Sequence, residues 1–439
     1  MKRVLFIENR QKTLLYEEVS KRLLKKHEIY WLAQNHCFAP NTKNTFTIPY
    51  PKRRHQKQVN SIDLNDIITS DRQQAFFGKK RKGYFYYYYS EIDKYLDQIK
   101  PDVVFGESTA FHELITIQLC KEKNILYLNP SSCRYPSGRF SFYKFDTLDP
   151  FMGSKDEVTD AQIEKIVHQI NNNEVTPDYM KIKKRGVVDR VKNQTLIFWA
   201  YAQGERYNTP SLFTKFFLER KRKKFKHKWD TISSGSEIQK RNVLYPLQMQ
   251  PEANIDVWGR RYRDQLNTIK IIYNSLPPNT ILYVKPNPKL KYEVTNDMIE
   301  FIKKTPRIIA IPSTLSMNKI IDDIDVVVTV TGTIAMERIF SEKPVITLVK
   351  TINNTVSNCI FADNKAELKD AINNGLCGKL VPSSKEKKDF LGKIIKKSYS
   401  GLISDPYSDQ NCISTYNIDQ LEKAFASVIE KIKNYDFSG

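Results

Sequence analysis

The sequence predicts an α/β protein built from two doubly wound halves. Short apolar runs alternate along the chain with segments that carry apolar residues at helical spacing. This alternation occurs twice, over residues 2–131 and again over residues 242–348. The chain has 439 residues, which is enough for two or three domains with sizeable cores. A repeated strand–helix–strand order predicts parallel sheets with helices on both faces.

The first half contains apolar runs that we interpret as strands: 2–8, 28–33, 101–108 and 125–131. The segments between these runs are amphipathic at helical spacing, and we predict helices over 14–26, 91–100 and 113–124. The second half repeats the pattern with predicted strands at 242–248, 280–286, 307–312, 325–331 and 344–348. Its predicted helices are 263–276, 316–324 and 333–342.

The stretch between the two halves, about 150–241, has a helical pattern and is basic at its end. Ser and Gly cluster within 229–240, which is typical of a linker. We therefore predict an N-terminal Rossmann-like domain with a basic helical insertion (1–235) and a C-terminal Rossmann-like domain (241–385). The last segment (386–439) is predicted to be helical and to pack back on the first domain.

The formal net charge of +21 indicates an anionic partner. Basic KKRK (79–82) precedes the aromatic run GYFYYYY (83–89), and further basic clusters lie at 181–185 and 219–228. Basic residues beside aromatic rings are typical of proteins that bind the headgroup region of an anionic membrane. The same pattern fits a solvated basic face equally well and single-stranded nucleic acid less well. We expect an anionic membrane surface as a partner and no nucleic acid.

Several classes of protein are disfavoured by motifs that the sequence lacks. It has no apolar run of about 18 residues and no apolar N-terminal segment long enough for a signal peptide, so we expect a cytoplasmic protein, peripheral at the inner face of the cytoplasmic membrane. Its six cysteines form no CxxC pair, which disfavours zinc and disulfides. Neither GxGxxG after the first strand nor GxxxxGK[ST] occurs, which disfavours dinucleotide enzymes and P-loop NTPases. DDID (322–325) begins a buried strand rather than following one, so we expect no metal there.

Ligands of open α/β sheets bind beyond the carboxyl ends of the strands, so the residues just after each strand are candidates for a site. In the first half, Glu107 follows the strand, and an acid in this place suits a general base. His112 is a second candidate for a catalytic residue. The alternative is a helix N-terminus that Ser108 or Thr109 caps, with Glu107 near its positive end.

A loop rich in Gly, Ser and Pro follows the last strand of the first half, over 129–144, and it carries Arg134 and Arg139. Guanidinium groups bind carboxylates and phosphates through two parallel hydrogen bonds. We predict that both arginines bind the acceptor.

Successive strand tips in the second half are rich in groups that bind phosphate. The turn KPNPK (285–289) carries two lysines, and IPSTLS (311–316) offers hydroxyl groups. The strand 325–331 ends in TGT (331–333) ahead of a helix, where backbone N–H groups and the helix dipole favour an anion. Glu337 lies one turn further, within reach of ribose hydroxyls, and its alternative is a salt bridge on a capped helix. The predicted binding residues are Gln250, Glu252, Lys285, Asn287, Lys289, Ser313, Thr314, Thr331, Gly332, Thr333 and Glu337.

The order of these segments resembles the bacterial capsule polysaccharide synthesis family, which includes β-Kdo transferases. The resemblance rests on YPLQMQPEANI, LPPNTILYVKPNPK, IPSTLS and TVTGTIAMERIFSEKPVI, and it is clearest over about 242–349. It implies the GT-B architecture, in which two Rossmann-like domains face a central cleft and the second binds a nucleotide-activated sugar, often CMP-linked. It also implies that Asn287 stands where the family usually has His. Because Asn cannot carry charge, Lys285 or backbone donors would take over that role.

We therefore predict a metal-independent GT-B glycosyltransferase with no cofactor other than its nucleotide-sugar substrate, a CMP-sugar being favoured. The acceptor is a glycan or glycolipid of a growing bacterial surface polymer, such as capsule or lipopolysaccharide. Glu107 deprotonates the acceptor hydroxyl, while Lys285, Thr331 and Thr333 stabilise the departing phosphate. Two alternatives stay open: a CDP-polyol phosphotransferase of teichoic-acid-like polymers, and a non-catalytic scaffold of polysaccharide assembly at the membrane surface.

Overall fold

The structure, a computed structural model, describes residues 1–52, 55, 62–78, 81–172, 186–204, 206, 208–234 and 237–432. The predicted basic cluster at 181–185 lies outside the described residues, as do the first two residues of the cluster at 79–82. The strands are β1 (Arg3–Ile7), β2 (Glu28–Ala33), β3 (Thr45–Thr47), β4 (Val103–Phe105), β5 (Leu126–Ser132), β6 (Arg139–Lys144), β7 (Asn242–Pro246), β8 (Ile281–Lys285), β9 (Ile308–Ala310), β10 (Val326–Thr329), β11 (Val345–Thr347), β12 (Cys359–Phe361) and β13 (Tyr399–Ser400).

The helices separate the strands in the order that the sequence predicts. They are α1 (Thr13–Leu23), α2 (Asn65–Ser70), α3 (Arg72–Ala75), α4 (Gly83–Ile99), α5 (Phe111–Glu122), α6 (Asp160–Asn171), α7 (Val187–Ala202), α8 (Leu212–Ile232), α9 (Ala253–Asp256), α10 (Gln265–Tyr273), α11 (Asn296–Lys304), α12 (Ile334–Phe340), α13 (Lys365–Leu376), α14 (Ser384–Lys396) and α15 (Thr415–Lys431). Among the described residues, none of these helices combines enough length with enough apolar character to cross a bilayer.

Two compact units divide the chain. The first contains the described residues of 1–158, 175–211 and 393–439, and the second those of 159–174 and 212–392. The second unit therefore includes α8, which the sequence analysis grouped with the first half. Its Phe225 and Trp229 pack into the core beneath the second sheet, and the Trp229 indole Nε1 donates to the carbonyl of Ile311 at 2.8 Å.

The first unit has a seven-stranded sheet in the order β13-β6-β5-β4-β1-β2-β3. The pairings from β5 to β3 are parallel, whereas β6 and β13 join the sheet antiparallel. The C-terminal helix α15 packs on this sheet, where the ring of Phe425 lies 4.7 Å from that of Phe105 and 4.8 Å from that of Phe142. These rings belong to one buried cluster that joins the two ends of the chain.

The second unit has a six-stranded, entirely parallel sheet in the order β12-β11-β10-β7-β8-β9. In each sheet the first strand lies near the middle, and the chain builds outward on one side before it crosses to the other. The point of crossing, the topological switch point, falls between β1 and β4 in the first unit and between β7 and β10 in the second. The predicted α/β class with two doubly wound halves is confirmed.

The aromatic run at 83–89 does not form the exposed surface that its composition indicated. It opens α4, and Tyr84, Phe85 and Tyr88 are buried. Their rings contact Phe111 of α5 edge-on at 4.9–5.6 Å, and the Tyr84 hydroxyl donates to Asp71. The helical spacing turns these rings toward the core, because burying them removes a large apolar surface from water.

The prediction of an α-helix at 316–324 is wrong. The segment forms two short 3₁₀ turns, Met317–Lys319 and Ile321–Asp323. The buried guanidinium of Arg338 donates to the carbonyls of Ile321, Ile324 and Asp325 and so ties this segment to α12.

We predict that Trp229→Ala lowers the free energy of unfolding by about 3–5 kcal/mol, because it removes a fully buried ring and leaves a cavity. Trp199→Ala in α7, where 55% of the side chain is exposed, should cost about 0.5 kcal/mol or less. Urea titration of both variants measures the difference, and equal costs would contradict the packing of α8 on the second unit.

Candidate functional site

The carboxyl edge of the second sheet brings together residues that lie far apart in the sequence. Gln248 follows β7 and Thr329 ends β10, so both lie at the switch point. The Gln248 side-chain amide donates to Thr329 Oγ1 at 3.2 Å, and the same hydroxyl accepts the Gly332 backbone N–H at 3.3 Å. A Cβ on residue 332 would lie 3.0 Å from that oxygen and 3.4 Å from the Gln248 amide nitrogen. Glycine therefore lets the backbone approach the switch point closely.

Lys285 ends β8, where it pairs in register with Pro246 of the neighbouring β7. Its side chain is 1% exposed. Among the described residues its ammonium makes one hydrogen bond, a long one of 3.4 Å to the carbonyl of Pro286, and contacts no carboxylate. Burial lowers the pKa of Lys285, and the negative charge of Asp230 only partly offsets that shift. A buried ammonium with so few partners favours the binding of an anion.

The C-terminal turns of α8 complete this edge with a cluster of three side chains. Asp230 accepts hydrogen bonds from the Ser313 backbone N–H at 3.0 Å and from the Ser313 hydroxyl at 3.2 Å. Lys226 donates to Asp230 and to Ser313 Oγ, each at 2.7 Å. Burial raises the pKa of Asp230, but these hydrogen bonds outweigh it and the net shift is downward. Sequence reasoning predicted Ser313 and missed Lys226 and Asp230, because α8 precedes the second half in the chain.

The predicted residues Gln250 and Glu252 lie in the loop that leads into α9. The Gln250 side chain donates to Asp256 Oδ1 at 2.9 Å and accepts from Gln265 at 2.9 Å. The backbone N–H of Glu252 donates to the other oxygen of Asp256 at 2.9 Å. Both residues therefore fix the shape of the loop, and the groups of Gln250 are occupied by protein partners.

The remaining predicted residues of this edge differ in exposure. Asn287 is half-buried, and its side-chain oxygen accepts the backbone N–H of Lys289, which is exposed. Thr314 is exposed, whereas Thr331 is buried and donates to the carbonyl of Asn254 at 3.1 Å.

The sequence offered a helix with a capped N-terminus as the alternative for the TGT turn, and the structure has no side-chain cap at this position. Thr333 precedes α12 with helical backbone angles, and its side chain makes no capping hydrogen bond. Glu337 lies in the first turn of α12 and is half-buried.

In the first unit, Glu107 lies between β4 and α5, beside the switch point. Its carboxylate contacts the ammonium of Lys12, and its backbone carbonyl accepts from the Tyr127 hydroxyl at 2.6 Å. The capping role that the sequence offered to Ser108 or Thr109 belongs instead to Glu113, which accepts the backbone N–H groups of Thr109 and Ala110 at 3.0 and 2.7 Å. Glu107 is therefore not needed to complete the helix N-terminus.

His112 lies in the first turn of α5 and is buried. Its Nε2 lies 3.0 Å from the backbone carbonyl of Glu8, which follows β1, so this nitrogen is the donor. Glu113 also accepts from the side chain of Asn9 at 2.6 Å, which joins the loops after β1 and β4 across the switch point. Sequence reasoning missed both Asn9 and Glu113, although a carboxylate three residues into a helix is a known capping signal.

The two arginines predicted to bind the acceptor lie in different structural elements. Arg134 is half-buried in the β5–β6 loop. Arg139 opens β6, and its guanidinium donates to Ser398, Ser400, Ser154 and Asp156. These bonds tie β6 to the segment around β13, so Arg139 has a structural role in this conformation.

Comparisons with known proteins found fold-level similarity only. No family model and no curated protein matches the chain. UDP-GlcNAc 2-epimerase from Methanocaldococcus jannaschii is 14% identical, with a TM-score of 0.28 over 90% of this chain and 99% of that one. Thermosulfurimonas dismutans KpsC, a β-Kdo 2,7 transferase, is 10% identical, with a TM-score of 0.40 over 98% and 99%. A β-Kdo 2,4 transferase structure of KpsC is 11% identical, with a TM-score of 0.38 over 88% and 97%. Similarity of this extent does not assign an activity to the chain.

We predict that Lys285→Met stabilises the free protein at neutral pH by on the order of 1 kcal/mol, because it removes a buried charge that lacks a close partner. The folded-state pKa of Lys285 lies below its ordinary value. The lysine therefore costs stability at neutral pH, and this cost declines as the pH rises through the folded pKa toward the unfolded value. Urea titrations across that pH range test both statements.

Lys289→Met is the matched control, since Lys289 belongs to the same turn but is exposed. Its free energy of unfolding should stay within about 0.5 kcal/mol of the unchanged protein at every pH. A destabilised Lys285→Met variant would mean that the ammonium has a compensating protein partner.

Proposed function

We propose that the chain is a glycosyltransferase that uses a nucleotide-activated sugar, with a CMP-linked sugar favoured, to extend a bacterial surface glycan. The observation that carries this proposal is the buried ammonium of Lys285 at the carboxyl edge of the second sheet. It lies beside the switch point, where open α/β sheets bind ligands. The resemblance of the segments over 242–349 to capsule polysaccharide synthesis proteins supports the same assignment.

In this proposal the donor phosphate binds between Lys285 and the turn after β10. The backbone N–H and the hydroxyl of Thr333 supply hydrogen bonds, and Glu337 binds the ribose. Gly332 and Thr331 hold the turn in shape through their bonds to Thr329 and Asn254. As the glycosidic bond to phosphate breaks, negative charge develops on the departing phosphate oxygen. Lys285 stabilises that charge, and a low-dielectric setting strengthens its effect.

The charges of this edge favour a phosphodiester over a diphosphate. The charge of Lys226 is neutralised by its ion pair with Asp230. The ammonium of Lys285, in contrast, contacts no carboxylate among the described residues. A CMP-linked sugar carries one negative charge on its single phosphate, whereas a UDP-linked sugar carries two. One uncompensated ammonium with backbone donors suits the single charge.

The acceptor half of the reaction is assigned to the first unit. Glu107 accepts the proton of the acceptor hydroxyl, whose oxygen then attacks the anomeric carbon of the donor. The ammonium of Lys12 contacts the carboxylate of Glu107 and holds it in place beside the switch point. His112 is held by the Glu8 carbonyl, so we assign it to positioning the loop after β1.

We predict that CMP stabilises the protein in a thermal-shift screen that also contains CDP, UDP, GDP and dTDP, each with and without magnesium. At about 100 times its dissociation constant, a ligand that binds only the folded state adds roughly 2.7 kcal/mol of stability. The shift should not depend on magnesium, because Lys285 and backbone donors bind the phosphate. Lys285→Met should lose the shift, and Lys289→Met should keep it.

Each outcome of the screen decides between functions. A shift with CDP alone would favour transfer of a polyol phosphate, and the product would then contain phosphorus. Equal shifts for the unchanged protein and Lys285→Met would remove Lys285 from the site. The absence of any shift would contradict a nucleotide-dependent reaction.

We predict that Glu107→Gln lowers the rate of sugar transfer at least about 100-fold, while the nucleotide-induced shift is retained, because loss of a general base slows only the chemical step. Glu18→Gln on the exposed side of α1 is the control and should be neutral. Lys12→Met separates the roles: it breaks the same ion pair but keeps the carboxylate. If Lys12→Met were as inactive as Glu107→Gln, the ion pair rather than the base would explain the loss.

A further inference from the structure

The first two turns of α8 expose four large apolar side chains to solvent. The exposed fractions are 70% for Leu212, 80% for Phe213, 55% for Phe216 and 64% for Phe217. Single exposed apolar residues are ordinary on a protein surface, but a contiguous group of this kind marks an interaction site. The aromatic rings here are free of the core, in contrast to those of α4.

Basic side chains continue the same face of α8. Phe216 is followed at helical spacing by Arg220, Lys223 and Lys224, all of them exposed. None of these three cations contacts a carboxylate among the described residues, and the Arg220 guanidinium lies 5.0 Å from the centre of the Phe216 ring. Over its whole length α8 carries eight Lys and Arg but only two acidic residues.

The C-terminal turns of α8 anchor the helix to the second unit. Phe225 and Trp229 are buried in the core of that unit, and Lys226 and Asp230 bond to Ser313. The exposed face is therefore presented by a helix that is held in place at its C-terminal end. A rigid support of this kind keeps the rings and the cations on one side.

We propose that this aromatic–basic face of α8, which runs from Leu212 through the exposed phenylalanines to Arg220, Lys223 and Lys224, docks the protein on an anionic lipid bilayer. The rings enter the boundary between headgroups and acyl chains, and the cations contact lipid phosphates. Stable attachment needs both an apolar and an electrostatic contribution, and the helix supplies both. A second copy of the chain fits less well, because it would bring two basic faces together.

This inference goes beyond the nucleotide proposal and does not depend on it. The residues of the face lie in α8 alone, and lipid binding needs no donor sugar. It also places the membrane contact on a segment other than the Tyr-rich run at 83–89, whose rings are buried from Tyr84 to Tyr88.

Co-sedimentation of the full chain with vesicles tests the proposal, using phosphatidylcholine vesicles with and without phosphatidylglycerol. Binding is expected to the anionic vesicles only and to weaken at high salt. The double variant Phe213→Ser/Phe217→Ser should bind at least about tenfold more weakly. Lys223→Ser/Lys224→Ser should lose about fivefold per lysine. Both variants should keep the thermal stability of the unchanged protein, since the substituted side chains are exposed.

Matched controls come from exposed residues elsewhere. Tyr416→Ser/Val381→Ser removes apolar side chains that are 75% and 59% exposed, and Lys303→Ser/Lys304→Ser removes two exposed lysines of α11. Unchanged vesicle binding by both controls, with losses in the α8 variants, supports the proposal. Failure to bind anionic vesicles, equal binding to neutral ones, or equal losses in controls and α8 variants would overturn it. Self-association in the absence of lipid that requires Phe213 and Phe217 would assign the face to a second copy instead and would also overturn it.

Discussion

The parallel pairing of β7 to its two neighbours is the constraint on which the second unit depends. In a parallel sheet all strands end at the same edge, so residues after β7, β8, β9 and β10 meet there whatever their separation in sequence. Because the sheet is built outward from β7 in both directions, the loops after β7 and β10 also diverge and leave a crevice. The Gln248–Thr329 hydrogen bond joins the loop after β7 to the end of β10 at this point. The same order of strands gives the first unit its own switch point, which the Asn9–Glu113 bond spans.

Lys226 and Lys285, which both lie at this edge of the sheet, differ in burial and in the partners of their ammonium groups. Lys226 has a carboxylate and a hydroxyl within 2.7 Å, so its charge is satisfied by the protein. Lys285 is more deeply buried but is bonded only to a carbonyl at 3.4 Å. Removing an ammonium from water costs several kcal/mol unless it is paired, so the fold bears a cost at Lys285 that it avoids at Lys226. An anion bound there would recover part of this cost, which is the physical basis of the site that we propose.

Much of the fold follows from local patterns in the sequence, and the departures have physical causes. The alternation of strands and helices and the position of Lys285, Ser313 and Gly332 at strand ends could be predicted, because periodicity reports which elements form and where they stop. The packing of α8 on the second unit could not, since it depends on contacts such as Trp229 with Ile311 that are remote in sequence. Arg139 was expected in an open loop because Pro and Gly precede it. The structure places it in β6, an antiparallel strand that pairs with the last strand of its sheet.

Composition alone also misplaces the aromatic–basic surface. The runs GYFYYYY and LFTKFF are both rich in aromatic residues. The elements that pack against each run in the folded protein decide which of them is buried. The rings of α4 face Phe111 and the core of the first unit, whereas those of α8 precede the turn at which that helix first reaches a core, at Phe225. Exposed rings add nothing to folding stability, since water surrounds them in the folded and unfolded states alike. Exposed rings lower solubility and are therefore expected only where they bind a partner. The exposed cations beside these rings favour a partner that is apolar inside and negatively charged at its boundary, as an anionic bilayer is.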